Sequence, residues 1–465
     1  MIYDVIIVGS GIAGLYAALS IQRTNPRLSF LILEKNKKQW IGGRANNESF
    51  YGTQIATGAG VGRKQDRLLK KLVREFGFDV QEFTTTHHYS PTISTPVEMK
   101  DALSHLREEW QKYRGPPTTF EKFAKPILGQ PEYKQFVISS GYTDYERAGA
   151  QETLYDYEME DNYGKSTIFG VNWHDLVQKM AAKIGLTHFR FSNTVKKISQ
   201  TKDSEPHFVL EVETNSSSIQ SYQCRRVIIA TTIESLRAIF PRHPIYKQIE
   251  GQPFMRVYGK FDKQSIPILN QYIERQGVNV VPGPLQKIIP MNPDAGVYMI
   301  VYNDNRNTLA LKSRTEDTAP NREFYCEMIE RSLGIDDSPK GPLHSPKGPL
   351  HSPKGPLHSP KGPLHSPKGP LHLPKGPLHL PKGPLHLPKD RLCLLSIRSF
   401  YWTIGTHYYK PLKDYPTREE FIAEAQHPVD GILVVGEVVS KHQGWTEGAL
   451  ESVDLVVTKK WITSI

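Results

Sequence analysis

Residues 3–34, YDVIIVGSGIAGLYAALSIQRTNPRLSFLILE, decide how the rest of the chain is read. Val5, Ile6, Ile7 and Val8 form a continuous apolar run, the pattern of a parallel strand covered on both faces. The run stops at Gly9-Ser10-Gly11-Ile12-Ala13-Gly14, a G-x-G-x-x-G spacing, and beyond it Leu15, Ala18, Leu19 and Ile21 suit a helix. Asn25-Pro26 ends that helix, Leu28 to Leu33 supply a second strand, and Glu34 follows twenty residues after Gly14.

Strand, glycine turn, helix, strand and acid, in that order, make a dinucleotide-binding unit. Gly9 allows the sharp turn, Gly11 has no Cβ to hold a pyrophosphate off the backbone, and Gly14 lets the helix lie close on the strand. The N–H groups and dipole at the helix start form an anion site. A carboxylate at Glu34 accepts ribose hydroxyls and repels a 2′-phosphate, which favours FAD or NAD over NADP.

Working outward, Trp40-Ile41-Gly42-Gly43-Arg44 and Thr57-Gly58-Ala59-Gly60-Val61-Gly62-Arg63 are two further glycine-rich loops. They imply backbone passing near a large planar ligand, with Arg44 and Arg63 available for its phosphates; the competing reading is surface turns with solvated arginines. Residues 80–165 are irregular and helix-leaning. They end in acids (Asp144, Glu146, Glu152, Asp156, Glu158, Glu160, Asp161) set among tyrosines, read either as a solvated face or as a field that steers a polycation. Trp173 to Ile184 read as a helix, Val195 to Ile198 as a short strand, and Arg226 to Thr232 as another buried strand. Gln252 to Asp262, Val278 to Val281 and Gly296 to Val301 alternate as strands of an antiparallel sheet do.

Near the carboxyl end, Gly431 to Gly436 form a buried strand followed by Glu437, and Gly444-Trp445-Thr446-Glu447-Gly448-Ala449 open a helix. A carboxylate thus stands at the carboxyl end of a strand, where open α/β sheets bind ligands. The positive end of the helix would stabilise negative charge on a reduced flavin.

Residues 338–389 are seven copies of SPKGPLH or LPKGPLH and a final LPK. Two prolines and a glycine per copy forbid a helix, and one leucine per copy cannot bury enough surface to offset ordering, so a disordered, locally polyproline-like insertion is expected. Its lysines also explain the net charge of +10: without these eight, 58 basic residues fall to 50 against 48 acidic ones, and nothing suggests a nucleic-acid face. Three scattered cysteines, Cys224, Cys326 and Cys393, point to a reducing compartment and no disulfide framework. With no leader-like start and no apolar run long enough to span a bilayer, the expectation is a soluble intracellular protein.

The dinucleotide fingerprint with Glu34, the Gly42-Gly43-Arg44 turn with its following glycine loop, and the terminal GE…GWTEGALES together resemble the flavin-containing amine oxidase superfamily of monoamine, polyamine and L-amino-acid oxidases. The resemblance implies an α/β fold: a Rossmann-like FAD-binding domain of the glutathione-reductase type with an inserted α+β substrate domain of antiparallel sheet and helices. The expected FAD domain takes residues 1–80, 171–243 and 425–465, and the substrate domain 81–170, 244–337 and 390–424. By resemblance, Gly9, Gly11, Ile12, Ala13 and Gly14 lie by the pyrophosphate, Glu34 on ribose, and Gly43 and Arg44 by the phosphates. Gly60, Val61, Gly62 and Arg63 lie under the flavin, Val195 by the adenine side, Gly436 and Glu437 at the ribityl chain, and Trp445 and Thr446 at the flavin ring.

Three positions depart from the family pattern. Arg256 stands where many members have a lysine bonded through water to the flavin, and an arginine cannot be deprotonated to act as a base. His407 replaces the first aromatic of the pair that sandwiches the amine, Trp445 being the second. Thr406 stands where some members carry the cysteine that bonds the flavin, so FAD is expected to be held non-covalently. With Arg256, His407 and Trp445 as the catalytic candidates, the implied activity is oxidation of a small amine by hydride transfer to the flavin, with O2 as acceptor and H2O2 released. No metal is implied. A catalytically silent flavin-fold binding protein and a flavin desaturase acting on C–C bonds are the alternatives.

Overall fold

The apolar run at the amino end becomes the centre of a seven-stranded sheet. Ile2–Val8 pairs in parallel on both edges, with Phe30–Glu34 (Val8 opposite Leu33) and with Ile219–Ile229 (Val8 opposite Ile229). Phe189–Phe191 extends the sheet beyond Phe30–Glu34, and Ile432–Val434 lies parallel to the end of Ile219–Ile229. Phe208–Thr214 and Asn193–Gln200 complete it as antiparallel strands. The computed structural model describes residues 2–159, 165–202, 207–335 and 391–465; the heptad repeat at 338–389 and the acids Glu160 and Asp161 lie outside them.

The lack of alternation in residues 5–8 has a direct cause: both faces of the strand are buried. Val5 and Ile7 face the helices Ile12–Thr24, Trp173–Ile184 and Thr446–Val456, through side chains such as Leu15, Trp173, Met180 and Leu450. Ile6 and Val8 join Leu31, Leu33, Val227 and Ile229 under Ile233–Ile239 and Arg418–Gln426. Helices on both sides make the sheet a doubly wound layer, with its ligand edge at the carboxyl ends of the parallel strands.

A second, eight-stranded sheet runs in the order Leu394–Tyr409, Ile249–Phe261, Val297–Asp304, Lys287–Asn292, Gly277–Val280, Glu82–Tyr89, Lys165–Phe169 and Gly62–Arg63. It is antiparallel except where Gly277–Val280 runs parallel to Glu82–Tyr89. Ser265–Tyr272 and Ala319–Leu333 pack on it through Leu269, Tyr325 and Ile329. The stretch read as irregular holds the strand Glu82–Tyr89 and four helices, Met99–Lys112, Phe120–Leu128, Gln130–Ser140 and Ala150–Tyr155, with their own core around Leu103, Phe120, Phe136 and Tyr145.

Two details differ from the linear reading. Gly62–Arg63, taken as part of a glycine loop, is the edge strand of the second sheet, paired with Lys165–Phe169. Of the acids read as a possible solvated face, Glu146 is 2% exposed and bonded by Arg306 at 2.6 Å. The residues flanking the heptad region meet at one residue: Ile335 N–H donates to the backbone carbonyl of Glu330 at 2.9 Å and Leu392 N–H to its Oε1 at 2.6 Å. No helix among the described residues is long and apolar enough to cross a membrane.

Candidate functional site

The glycine turn is shaped by what surrounds it. Gly9 has φ +106°, and a Cβ there would lie 2.4 Å from Ala230 O; a Cβ on Gly14 would lie 2.1 Å from Gly9 O. Gly11 is different, because a Cβ on it would meet nothing within 4 Å. Its open side is the start of Ile12–Thr24, a helix end that no side chain caps, with Ile12 and Ala13 buried behind it. Such an end presents unsatisfied N–H groups to an anion. Glu34 closes the next strand, 6% exposed, and accepts from Ser10 N–H and Ser10 Oγ–H at 2.8 Å each on Oε2, and from Asn36 N–H at 2.8 Å on Oε1. Oε1 keeps a lone pair for a hydroxyl donor. Val195 packs in the same core as Leu31 and Leu33.

The second glycine turn lies against the first: Gly42 N–H donates to Ser10 O at 2.9 Å, and a Cβ on Gly43 would be 3.7 Å from Gly11 Cα. Arg44 then reaches across to the carboxyl-terminal third of the chain. Its Nη1 donates to Gly405 O at 2.6 Å and its Nη2 to Glu437 Oε2 at 3.2 Å. Gly436, with φ +114°, brings Glu437 to the same edge, and a Cβ on it would stand 3.8 Å from Ala13 Cβ.

Glu437 is the most heavily bonded acid at this edge. Oε1 accepts from the N–H groups of His407 and Gly444 at 2.8 Å each, and Oε2 accepts from His407 Nδ1 at 2.6 Å as well as from Arg44. Burial alone would raise its pKa, but the His407 ring, the Arg44 charge and the Gly444 amide together lower it to about 2. His407 Nε2 lies 3.2 Å from Ile233 N–H and accepts it, which fixes the ring proton on Nδ1. The His407 side chain is therefore a buried support for Glu437. The sequence had set it opposite Trp445 as an amine-facing ring; the structure places the two rings in separate networks.

Trp445 belongs to the network of the glycine loop. Its Nε1 donates to Asp66 Oδ2 at 2.7 Å, and the Arg63 guanidinium lies 4.4 Å from its ring centroid. Arg63 bonds Asp66 through N–H and Nε at 2.7 and 3.1 Å and pairs with Glu158, so it is held by carboxylates and not set aside for phosphate. Thr446 opens the helix Thr446–Val456, and Glu447 in its first turn accepts from Leu68 N–H and Leu69 N–H at 2.8 Å each. That carboxylate caps Arg67–Glu75, a helix from the other end of the chain.

Arg256, third of the catalytic candidates, lies beside the glycine loop: a Cβ on Gly60 would be 2.9 Å from its Nη2, and Val61 follows, while the Phe169 ring covers Gly62. It is 4% exposed, with its Cζ 5.2 Å from the Phe254 ring centroid and 4.8 Å from that of Tyr302. On the far side of this group lie Lys287, Asp144, Asp304 and Tyr142, which the sequence did not single out as a site. Lys287 has a recognisable linear signal: it is the one charge in the strand Lys287–Asn292 and the residues just before it, Leu285-Gln286-Lys287-Ile288-Ile289.

Residues 7–76 match a family model described as an NAD(P)-binding Rossmann-like domain. Among solved structures, the chain is similar over 100% of its length to cyclohexylamine oxidase from Brevibacterium oxydans IH-35A, covering 99% of that chain at 15% identity with a TM-score of 0.66. It is likewise similar to wild-type putrescine oxidase bound to putrescine, with 100% of each chain covered, 13% identity and a TM-score of 0.65, and to a triple mutant of putrescine oxidase at 14% identity and 0.66. No curated protein matches the chain by sequence. At these identities the likeness establishes a shared fold: a dinucleotide-binding layer joined to a second sheet with helices.

Proposed function

We propose that this chain is an FAD-dependent oxidoreductase that oxidises a small amine, with O2 as acceptor and H2O2 as product. The observation that carries the reading is the convergence of both chain ends on one edge: the open side of Gly11, the Ser10-bound Glu34 and Glu437, tied to Arg44, all face the carboxyl ends of the parallel strands. The two solved relatives named above are oxidases of amines by their titles, and that supports the substrate class.

The residues present fit FAD. The uncapped helix start at Ile12 and Ala13 suits a pyrophosphate, and Glu34 suits a ribose hydroxyl. A groove of about 540 Å3 beside Glu34, lined by Lys35, Asn36, Lys37 and Thr194, is large enough to admit an adenosine end. Gly60, which carries no side chain, lets a ring system approach the backbone before Val61, and Trp445 with Thr446 stands at the start of a helix whose dipole favours negative charge. When bound, the flavin supplies the two-electron acceptor for an α C–H of the amine. The protein's part is to orient that bond, exclude water and stabilise charge; Arg256 does the last of these, because a guanidinium keeps its proton. With Thr406 near Gly444 and the three cysteines elsewhere, FAD is held non-covalently. The division into an FAD domain (1–80, 171–243, 425–465) and a substrate domain (81–170, 244–337, 390–424) belongs to the same proposal.

The test is to purify the chain, record its visible spectrum, release the chromophore with acid, and add primary amines first without and then with oxygen. Anaerobic bleaching followed by peroxide on aeration is the expected result. A yellow protein that no amine bleaches would favour the second reading, a flavin-binding protein that does not turn over; the buried cation of Arg256 is the observation that favours it.

A further inference from the structure

Among the described residues, Lys287 has no hydrogen-bond or ion-pair partner: it is 1% exposed, and its Nζ meets the ring faces of Tyr142 and Tyr302. A lysine removed from water in this way is expected to find a counter-charge or to give up its proton. Burial is the first cause acting on it and pushes its pKa far down; Asp304 and Asp144 oppose that, and the nearby Arg256 charge adds to it. Burial beside another cation favours the neutral amine, the form in which a lysine is nucleophilic.

The surroundings suit what such an amine becomes on reaction. Nζ is 2.8 Å from the Tyr142 ring centroid and 4.5 Å from that of Tyr302, the same ring that Arg256 faces. Asp304 is satisfied by Thr143 N–H at 2.9 Å and by the Thr143 hydroxyl. Asp144 is held by the Tyr157 hydroxyl, and burial followed by the Asp304 charge raises its pKa to about 7, so it can both give and take a proton near neutrality. Aromatic faces and carboxylates stabilise a cation at the nitrogen, and the neutral amine carries none. Tyr142, Asp144 and Tyr302 each keep part of their surface exposed to solvent.

We propose that Lys287 is a carbonyl-capturing amine, condensing with a small aldehyde to form a Schiff base, with Asp144 carrying the protons. The Nζ lone pair bonds the carbonyl carbon and the C=O π pair moves to oxygen. Asp144 relays the two nitrogen protons to that oxygen, which leaves as water, and no oxidant or reductant is consumed. The choice of an aldehyde rests on the proposed amine oxidation, which releases one from a primary amine; the capture itself needs no flavin.

The test uses the full chain with propionaldehyde and sodium cyanoborohydride at pH 7, followed by digestion and mass spectrometry. Lys287 should gain the propyl mass at least about ten-fold faster than the exposed Lys459, because a solvated lysine is almost wholly protonated there. Between pH 6 and 9 the Lys287 rate should not follow the rise with pH that an exposed lysine such as Lys459 shows. Asp144→Asn should slow Lys287 several-fold and leave Lys459 unchanged. Labelling of Lys287 no faster than Lys459, or a Lys287 rate rising with pH in parallel, overturns the proposal; an unaffected rate in Asp144→Asn overturns the role of Asp144. Peroxide release and flavin bleaching, read on the same preparation, report on the oxidase reading separately.

Discussion

Gly9, Gly11 and Gly14 share one motif but face three different neighbours. Gly14→Ala would drive a Cβ to 2.1 Å from Gly9 O and should cost about 1–3 kcal/mol in a denaturant titration. Gly11→Ala meets nothing in the protein, so its stability should stay within about 0.5 kcal/mol of wild type while FAD retention on gel filtration falls. Equal losses of stability in both variants would contradict the assignment of the open side. Glu437 makes a residue-scale prediction about acid. Its pKa is lowered in the folded chain to about 2 from an ordinary 4.5, so the ionised form stabilises the native state fully above pH 4.5 and progressively less as pH falls toward 2. Roughly 3 kcal/mol should be lost across that window. Glu437→Gln should flatten this part of the stability profile, measured by urea midpoints at pH 5.5 and 3.

At the scale of elements, the helices Arg67–Glu75 and Thr446–Val456 are far apart in sequence and bonded through a single side chain. Glu447 reaches the second and third N–H groups of the earlier helix, those of Leu68 and Leu69, although burial raises the pKa of its carboxylate. Glu447→Ala should cost about 1–2 kcal/mol by loss of this cap, seen as a lower thermal midpoint. Asp66→Asn should weaken the same junction by loosening Arg63 and Trp445, and the tryptophan fluorescence of the folded state should shift with it. Nothing in the sequence pattern pairs Glu447 with Leu68, because the contact depends on how two helices pack over one sheet.

For the whole molecule, the testable feature is the heptad segment. Its flanks are both bonded to Glu330, so the fold already holds together the two points that a short loop must join. Replacing 338–389 with a five-residue linker should leave the chain folded and raise its stability by up to about 2 kcal/mol, the closure entropy of the longer loop. Collapse of the deletion variant would show that the repeat belongs to the core.

What was legible in the sequence and what was not divide along a physical line. The apolar run at residues 5–8, the glycine spacing at 9–14 and the acid at 34 are local, and local periodicity and steric need fixed the dinucleotide layer, its first helix and the resemblance to flavin amine oxidases. The turn at Gly436-Glu437 and the helix opening at Thr446 were legible for the same reason. The partners of charged side chains were not. Arg44 and Arg63 read as phosphate ligands but are bonded to Glu437, Asp66 and Glu158; His407 read as a substrate-facing ring but is buried under Glu437; and Lys287 drew no notice at all. A side chain's charge is written in the sequence, but whether it meets water, a ligand or an opposite charge depends on residues hundreds of positions away, and only the packed chain decides that.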